Sequence, residues 1–170
     1  MGLDMYLQRK YYAKNWEHTE DKEKHFITIT KENFKENFTE DKEKHFTTIT
    51  IETAIPTDKI VFITTEEIRW RKANAIHKWF VDTVQDGVDD CETYCVTNNE
   101  LKSLLSTIEE ILEDNSKASK LLPTTEGFFF GGTGYNEDYF EKLRFTKTKL
   151  SKLLSPNSEH EDNFYYTSSW

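Results

Sequence analysis

The chain has 170 residues, 36% hydrophobic, 14% aromatic and 31% charged, which fits one compact domain with a sizeable core and excludes a disordered chain. A net charge of −9 and a pI near 5.1 argue against a surface that tracks nucleic-acid phosphates, which needs a basic stripe. No apolar run approaches the length that spans a membrane, and no charged-then-apolar leader opens the chain, so a cytoplasmic protein with no membrane partner is expected.

The N-terminus, MGLDMYLQRKYY, alternates Leu3, Met5 and Leu7 with Asp4, Tyr6, Gln8 and Lys10, which predicts a strand from the first residues. Gly2 follows Met1, but Tyr6 stands where a myristoylation signal requires Ser or Thr. A tandem repeat comes next. TEDKEKHFITIT at 19–30 returns as TEDKEKHFTTIT at 39–50, a duplication with a period of 20 residues. Each copy offers a polar turn and a β-rich run, so two strands are expected. His25 and His45 hold equivalent positions; a two-histidine metal pair is one reading, and repeat-borne strand starts are the preferred one. Lys59 to Thr65, KIVFITT, reads as another strand.

Ile68 to Val84, IRWRKANAIHKWFVDTV, is predicted as one long helix. At about 100° per residue, Ala73, Ile76, Phe80 and Val84 share a core-facing stripe that Trp70 and Val81 extend. His77 projects within that stripe and Asn74 sits at its edge, with Arg71 and Lys78 just beyond. The flank thus passes from apolar, through two hydrogen-bonding side chains, to two cations, as a wall for a planar anionic ligand would. Arg69 to Lys78 holds four cations and no acid, against the acidic balance of the whole chain. The plain alternative is a satisfied core histidine beside a solvated basic face. Trp79 and Ala75 point the opposite way, leaving an outer face for another segment or a second copy of the chain to cover, as in a homo-oligomer.

Gln85 to Asp90 reads as a polar turn with weak divalent-metal potential, and Glu92 to Val96 as a short strand. Cys91 and Cys95 have no Cys or His nearby to complete a zinc set, so no metal site and reduced thiols are expected. Thr97 and Glu100 match a capping box ahead of an amphipathic helix with Leu101, Leu104, Leu105, Ile108, Ile111 and Leu112.

Leu121 to Tyr135, LLPTTEGFFFGGTGY, predicts a short buried strand at Phe128–Phe130 and a glycine turn at Gly131, Gly132 and Gly134. Asn136 then caps a helix carrying Tyr139, Phe140, Leu143, Leu150, Leu153 and Leu154. Strand, glycine turn and helix start can present backbone N–H groups to an anion, although neither a Walker lysine nor the GxGxxG spacing is present. Residues 155–170 read as a polar and aromatic tail outside a single domain at 1–154, loosely held or docking through Phe164, Tyr165 and Trp170.

MGLDMYL, KNW at Lys14–Trp16, HFITI at His25–Ile29, WRKANAIHKWFV at Trp70–Val81, DDC at Asp89–Cys91 and GFFFGGTGY at Gly127–Tyr135 resemble a group of small proteins from phages and bacterial prophages. The resemblance covers most of the chain apart from its tail, and the doubled HFITIT unit departs from it. It implies residence in the host bacterial cytoplasm, and it transfers no catalytic residue.

The expected architecture is α+β, a single domain with a mixed or mainly antiparallel sheet of five to seven strands and three helices. The expected function is binding without catalysis and without a cofactor. A pocket between the Arg69–Trp79 helix and the Phe128–Tyr135 turn would hold an anionic nucleotide-like small molecule, as in a phage sponge that sequesters a host immune-signalling nucleotide. Trp70, Arg71, Asn74, His77, Lys78, Phe129, Gly131, Gly132, Thr133 and Tyr135 are its expected contacts, the aromatics stacking the base and the cations taking phosphate. One alternative is a hydrolase or transferase on a similar substrate, with His77 as acid/base oriented by an acid such as Asp4. Another is an adaptor that binds a host protein through Trp79 and the repeat strands.

Overall fold

The structure is a computed structural model and describes residues 2–12, 62–155 and 164–170. Met1–Lys10 and Thr64–Trp170 gather into one compact unit, to which the description below is confined. The repeat at 19–50 lies outside the described residues.

The unit is α+β. Its described strands are β1 (Asp4–Tyr12), β2 (Phe62–Arg71), β3 (Tyr94–Val96) and β4 (Phe164–Ser169). Its helices are α1 (Asn74–Thr83), α2 (Asn98–Glu113), the single turn α3 (Ala118–Leu121) and α4 (Glu137–Leu153). The sheet order is β2-β1-β4-β3. β4 runs antiparallel to both β1 and β3. The start of β1 meets the end of β2, where Lys72 N donates to Leu3 O at 2.8 Å. The described residues therefore hold four strands and four helices, rather than the expected five to seven and three.

β1 forms as its alternation predicts. Leu3, Met5 and Leu7 are fully buried, and Asp4, Tyr6 and Gln8 are half-exposed. In register, Leu7 faces Tyr166 and Met5 faces Ser168. Ile68 and Trp70 of β2, Val96 of β3, and Phe164 and Tyr166 of β4 complete one buried sheet face. The helices cover that face. Phe80 of α1 stacks on Tyr166 with ring centroids 3.9 Å apart, and Trp70 Nε1 donates to Thr146 Oγ1 of α4 at 2.8 Å. This is a two-layer arrangement around one core. Each fully buried large side chain in it contributes roughly 1.5–3 kcal/mol over its exposed state.

Three sequence expectations are corrected. Ile68–Arg71 continue β2 rather than opening the helix, because burial there alternates in steps of two: Ile68 in, Arg69 out, Trp70 in, Arg71 out. Lys72, at φ +55°, then turns the chain into α1. Phe128–Phe130 is a turn closed by Phe130 N to Gly127 O at 3.2 Å, and Phe128 is 93% exposed. Gly131 at φ +90° ends any extended run there. Finally, residues 164–169 of the expected tail form β4, between β1 and β3, because Phe164, Tyr166 and Ser168 all point inward while Tyr165 and Thr167 stay half-exposed.

The capping expectations match the structure. Thr97 Oγ1 accepts from Glu100 N at 3.2 Å while Glu100 Oε2 accepts from Thr97 N at 2.7 Å. Asn136 caps α4 by accepting from Tyr139 N at 3.3 Å. Ala75 is buried and Trp79 packs partly against the core, so the face of α1 left open in the sequence reading is largely covered within the chain.

Candidate functional site

Asn74 places the glycine loop against α1. It is buried, and its Nδ2 donates to Phe130 O at 3.2 Å and to Gly132 O at 2.8 Å. Leu3 N donates to Phe129 O at 3.2 Å, and Thr124 Oγ1 to Thr133 O at 2.9 Å. Four carbonyls of the loop are thus committed to holding its shape. Phe130 folds back under the turn, its ring so close to Gly127 that an added Cβ would meet Phe130 Cγ at 2.4 Å. Loop and helix enclose an open groove of about 420 Å³.

The groove has an aromatic wall and an acidic rim. Phe128, Phe129 and Phe130 line it together with Trp170, whose ring meets Phe130 edge to face with centroids 6.0 Å apart. Phe128 meets Phe129 edge to face at 4.5 Å, and Trp170 is half exposed. The charged lining residues are Lys78, Asp82, Asp89 and Glu126. Lys78 Nζ is bonded to Asp82 Oδ2 at 2.6 Å, one helical turn along α1. One cation therefore stands among three carboxylates and is already paired with one of them.

His77 forms the groove's inner wall and is 1% exposed. Its Nδ1 lies 2.8 Å from the Tyr166 hydroxyl and its Nε2 lies 2.9 Å from Asp89 Oδ2. A carboxylate only accepts, so Nε2 carries the proton toward Asp89. In neutral imidazole Nδ1 then accepts from the tyrosine hydroxyl. Burial first, and the Asp89 charge second, push the Tyr166 phenol well above its ordinary range, which keeps that hydroxyl a donor. Asp89 Oδ1 accepts from Trp170 Nε1 at 3.1 Å. The chain Tyr166–His77–Asp89–Trp170 therefore links the centre of the sheet to the groove, with both imidazole nitrogens occupied.

The structure brings together three of the ten expected contacts: His77, Lys78 and Phe129 line the groove. Asn74 supports it from beneath. Trp70 is core, bonded to Thr146. Arg71 is exposed at the end of β2, its guanidinium beside Gly2, away from Lys78 because it is a strand residue. Gly131 packs against Lys72, and Gly132 edges a small cleft with Lys72, Asn74 and Lys142. Thr133 is tied by its carbonyl, and the Tyr135 hydroxyl accepts from Thr124 N at 3.3 Å while its ring meets Tyr139 edge to face. Asp4 bonds Arg69 at 3.3 Å, so Asp89 and not Asp4 orients His77.

Sequence reasoning missed Asp89, Asp82, Glu126 and Trp170 as groove residues. Asp82 carried a signal, since an acid four residues after Lys78 on a helix meets it. Asp89 lies beyond α1 and Trp170 at the far end of the chain, where no local spacing points to His77. The expected weak metal potential at the 85–90 turn has another use: Asp90 accepts from Glu92 N and from the Tyr94 hydroxyl. Among the described residues no three His, Cys, Asp or Glu converge as metal ligands, and no helix is long and apolar enough to cross a membrane. Compared with known proteins, the chain matches no family model, no curated protein and no solved structure.

Proposed function

We propose that the protein binds a small nucleotide-like molecule by its ring, in the groove between α1 and the Phe128–Phe130 turn. The observation that carries this reading is the aromatic wall. Phe128 is 93% exposed on a turn whose backbone is pinned by Asn74 and Leu3, and the half-exposed Trp170 lines the same groove. Large aromatics exposed at the mouth of a cavity suit a planar ligand, because stacking on it removes their apolar area from water. A volume near 420 Å³ accommodates a base with its sugar.

Binding is favoured over catalysis by the state of His77. Both its nitrogens are bonded within the protein, to Tyr166 and Asp89, so neither is free to exchange a proton with a ligand. Holding a ligand unchanged is what a phage sponge of a signalling nucleotide requires. The phosphate contacts expected from Arg71 and Lys78 do not belong to this reading, since Arg71 is elsewhere and Lys78 is paired.

A panel of nucleobases, nucleosides and nucleotides, followed by tryptophan fluorescence and recovered after denaturation, tests the proposal. Quenching with intact ligand is the expected result. A chemically altered ligand would replace it with an enzyme. A panel with no binder would leave the host-protein adaptor.

A further inference from the structure

The charge and donor pattern of the groove narrows the ligand class, an inference that rests on the binding reading above. We infer that the groove recognises a flat ring with an amine or amidine edge, taken by the Asp89 carboxylate, and disfavours ligands whose anionic group enters the groove.

Three observations point the same way. The lining carries Lys78 against Asp82, Asp89 and Glu126, and Lys78 is neutralised by Asp82. A phosphate inside would meet carboxylates with no free cation, whereas a donor gains charge-assisted bonds. The aromatic wall adds to this, because ring faces are electron-rich and attract a cation or a polarised amine. Asp89 is the third. His77, sealed at 1% exposure, fixes Oδ2 from behind, and the side chain remains 28% exposed toward the groove. Its Oδ1 is engaged by the half-exposed Trp170 alone among the described bonds, and a carboxylate oxygen accepts two donors. An incoming N–H can therefore join Trp170 at Oδ1 or replace it. Asp89 is thus the specificity-determining acceptor, and His77 and Trp170 position it.

The test uses the full chain and four probes: adenosine, which carries an exocyclic amine; purine riboside, which lacks it and has no other donor on its base; AMP, which adds a phosphate; and benzamidine, a flat cation. Adenosine is expected to bind at least about tenfold tighter than purine riboside, the factor that one lost charge-assisted hydrogen bond implies. AMP is expected to bind no tighter than adenosine. Benzamidine binding is expected to tighten as salt is lowered, and AMP binding to weaken, because exposed charges are screened by salt. Asp89→Asn, which keeps the shape but loses the charge, is expected to weaken benzamidine by about tenfold. Should that variant fail to fold, Glu126→Gln repeats the test on a rim carboxylate outside the buried network, and the salt dependence of the unaltered protein decides by its sign. AMP binding more tightly than adenosine and strengthening at low salt would overturn the inference while leaving ring binding intact. Equal affinity for adenosine and purine riboside would overturn it as well. No binding by any of the four would remove the binding reading itself.

Discussion

Two aromatic segments of this protein, Phe128–Phe130 and Phe164–Tyr166, are alike in composition and opposite in fate. The first is a turn with Phe128 in solvent; the second begins β4 between β1 and β3, with Phe164 and Tyr166 at 1% and 0% exposure. Apolar content does not separate them. Their neighbours do. FFF stands between Gly127 and Gly131, which break an extended run, whereas FYYTSS alternates large inward residues with outward ones suited to a pleated surface. One segment is scaffold and the other is presented at the groove, and His77, bonded to Tyr166 and edge-on to Phe130, touches both.

Breaking the scaffold side has the largest expected effect. Tyr166→Ala removes the ring stacked on Phe80 and the donor to His77, and is expected to cost about 4 kcal/mol, read by urea or thermal unfolding. A loss under 1 kcal/mol would mean that β4 is not a core strand.

His77→Ala comes next. It leaves the Tyr166 hydroxyl and Asp89 without their partner and opens a cavity, at an expected cost of about 3 kcal/mol. The purely recognitive role that its position on α1 suggested predicts far less. His77→Asn is expected to recover little of the loss, because its shorter amide spans one of the two partners and not both.

How much of this was legible in the sequence depends on the range of the interaction involved. The β1 alternation, the Thr97–Glu100 capping box and the Asn136 cap are decided within a few residues and read directly. Of the expected contacts, His77, Lys78 and Phe129 share a groove, whose lining on the loop side is Thr125–Phe130 without Gly131, Gly132, Thr133 or Tyr135. The helix start failed because Ile68 and Trp70 satisfy period two as well as period 3.6 when the window is short, and pairing with β1 chooses between them. The partners of His77 failed because Asp89 is 12 residues away, Tyr166 is 89 away, and both come into reach only through tertiary folding.

On the loop, Gly131→Ala sharpens the comparison. Gly131 sits at φ +90°, and an added Cβ would stand 3.1 Å from Lys72 Cβ, so a loss of roughly 1–2 kcal/mol is expected in unfolding. A neutral outcome would mean that the turn is not held in this shape. The smallest effects belong to Arg71→Ala and Lys78→Ala. Arg71 is exposed and Lys78 is paired one helical turn away with an exposed acid, so melting should change by no more than about 0.5 kcal/mol equivalent.

Phe128→Ala tests the division between scaffold and presented surface most directly, with adenosine binding and thermal melting measured on the same sample. Phe128 buries almost nothing, so the melting temperature should stay within about 2 °C of the parent protein, the shift a surface change produces in a domain of this size. Binding should fall by about tenfold, the worth of one stacked ring. A variant that melts several degrees lower, or that binds as the parent does, would contradict the account.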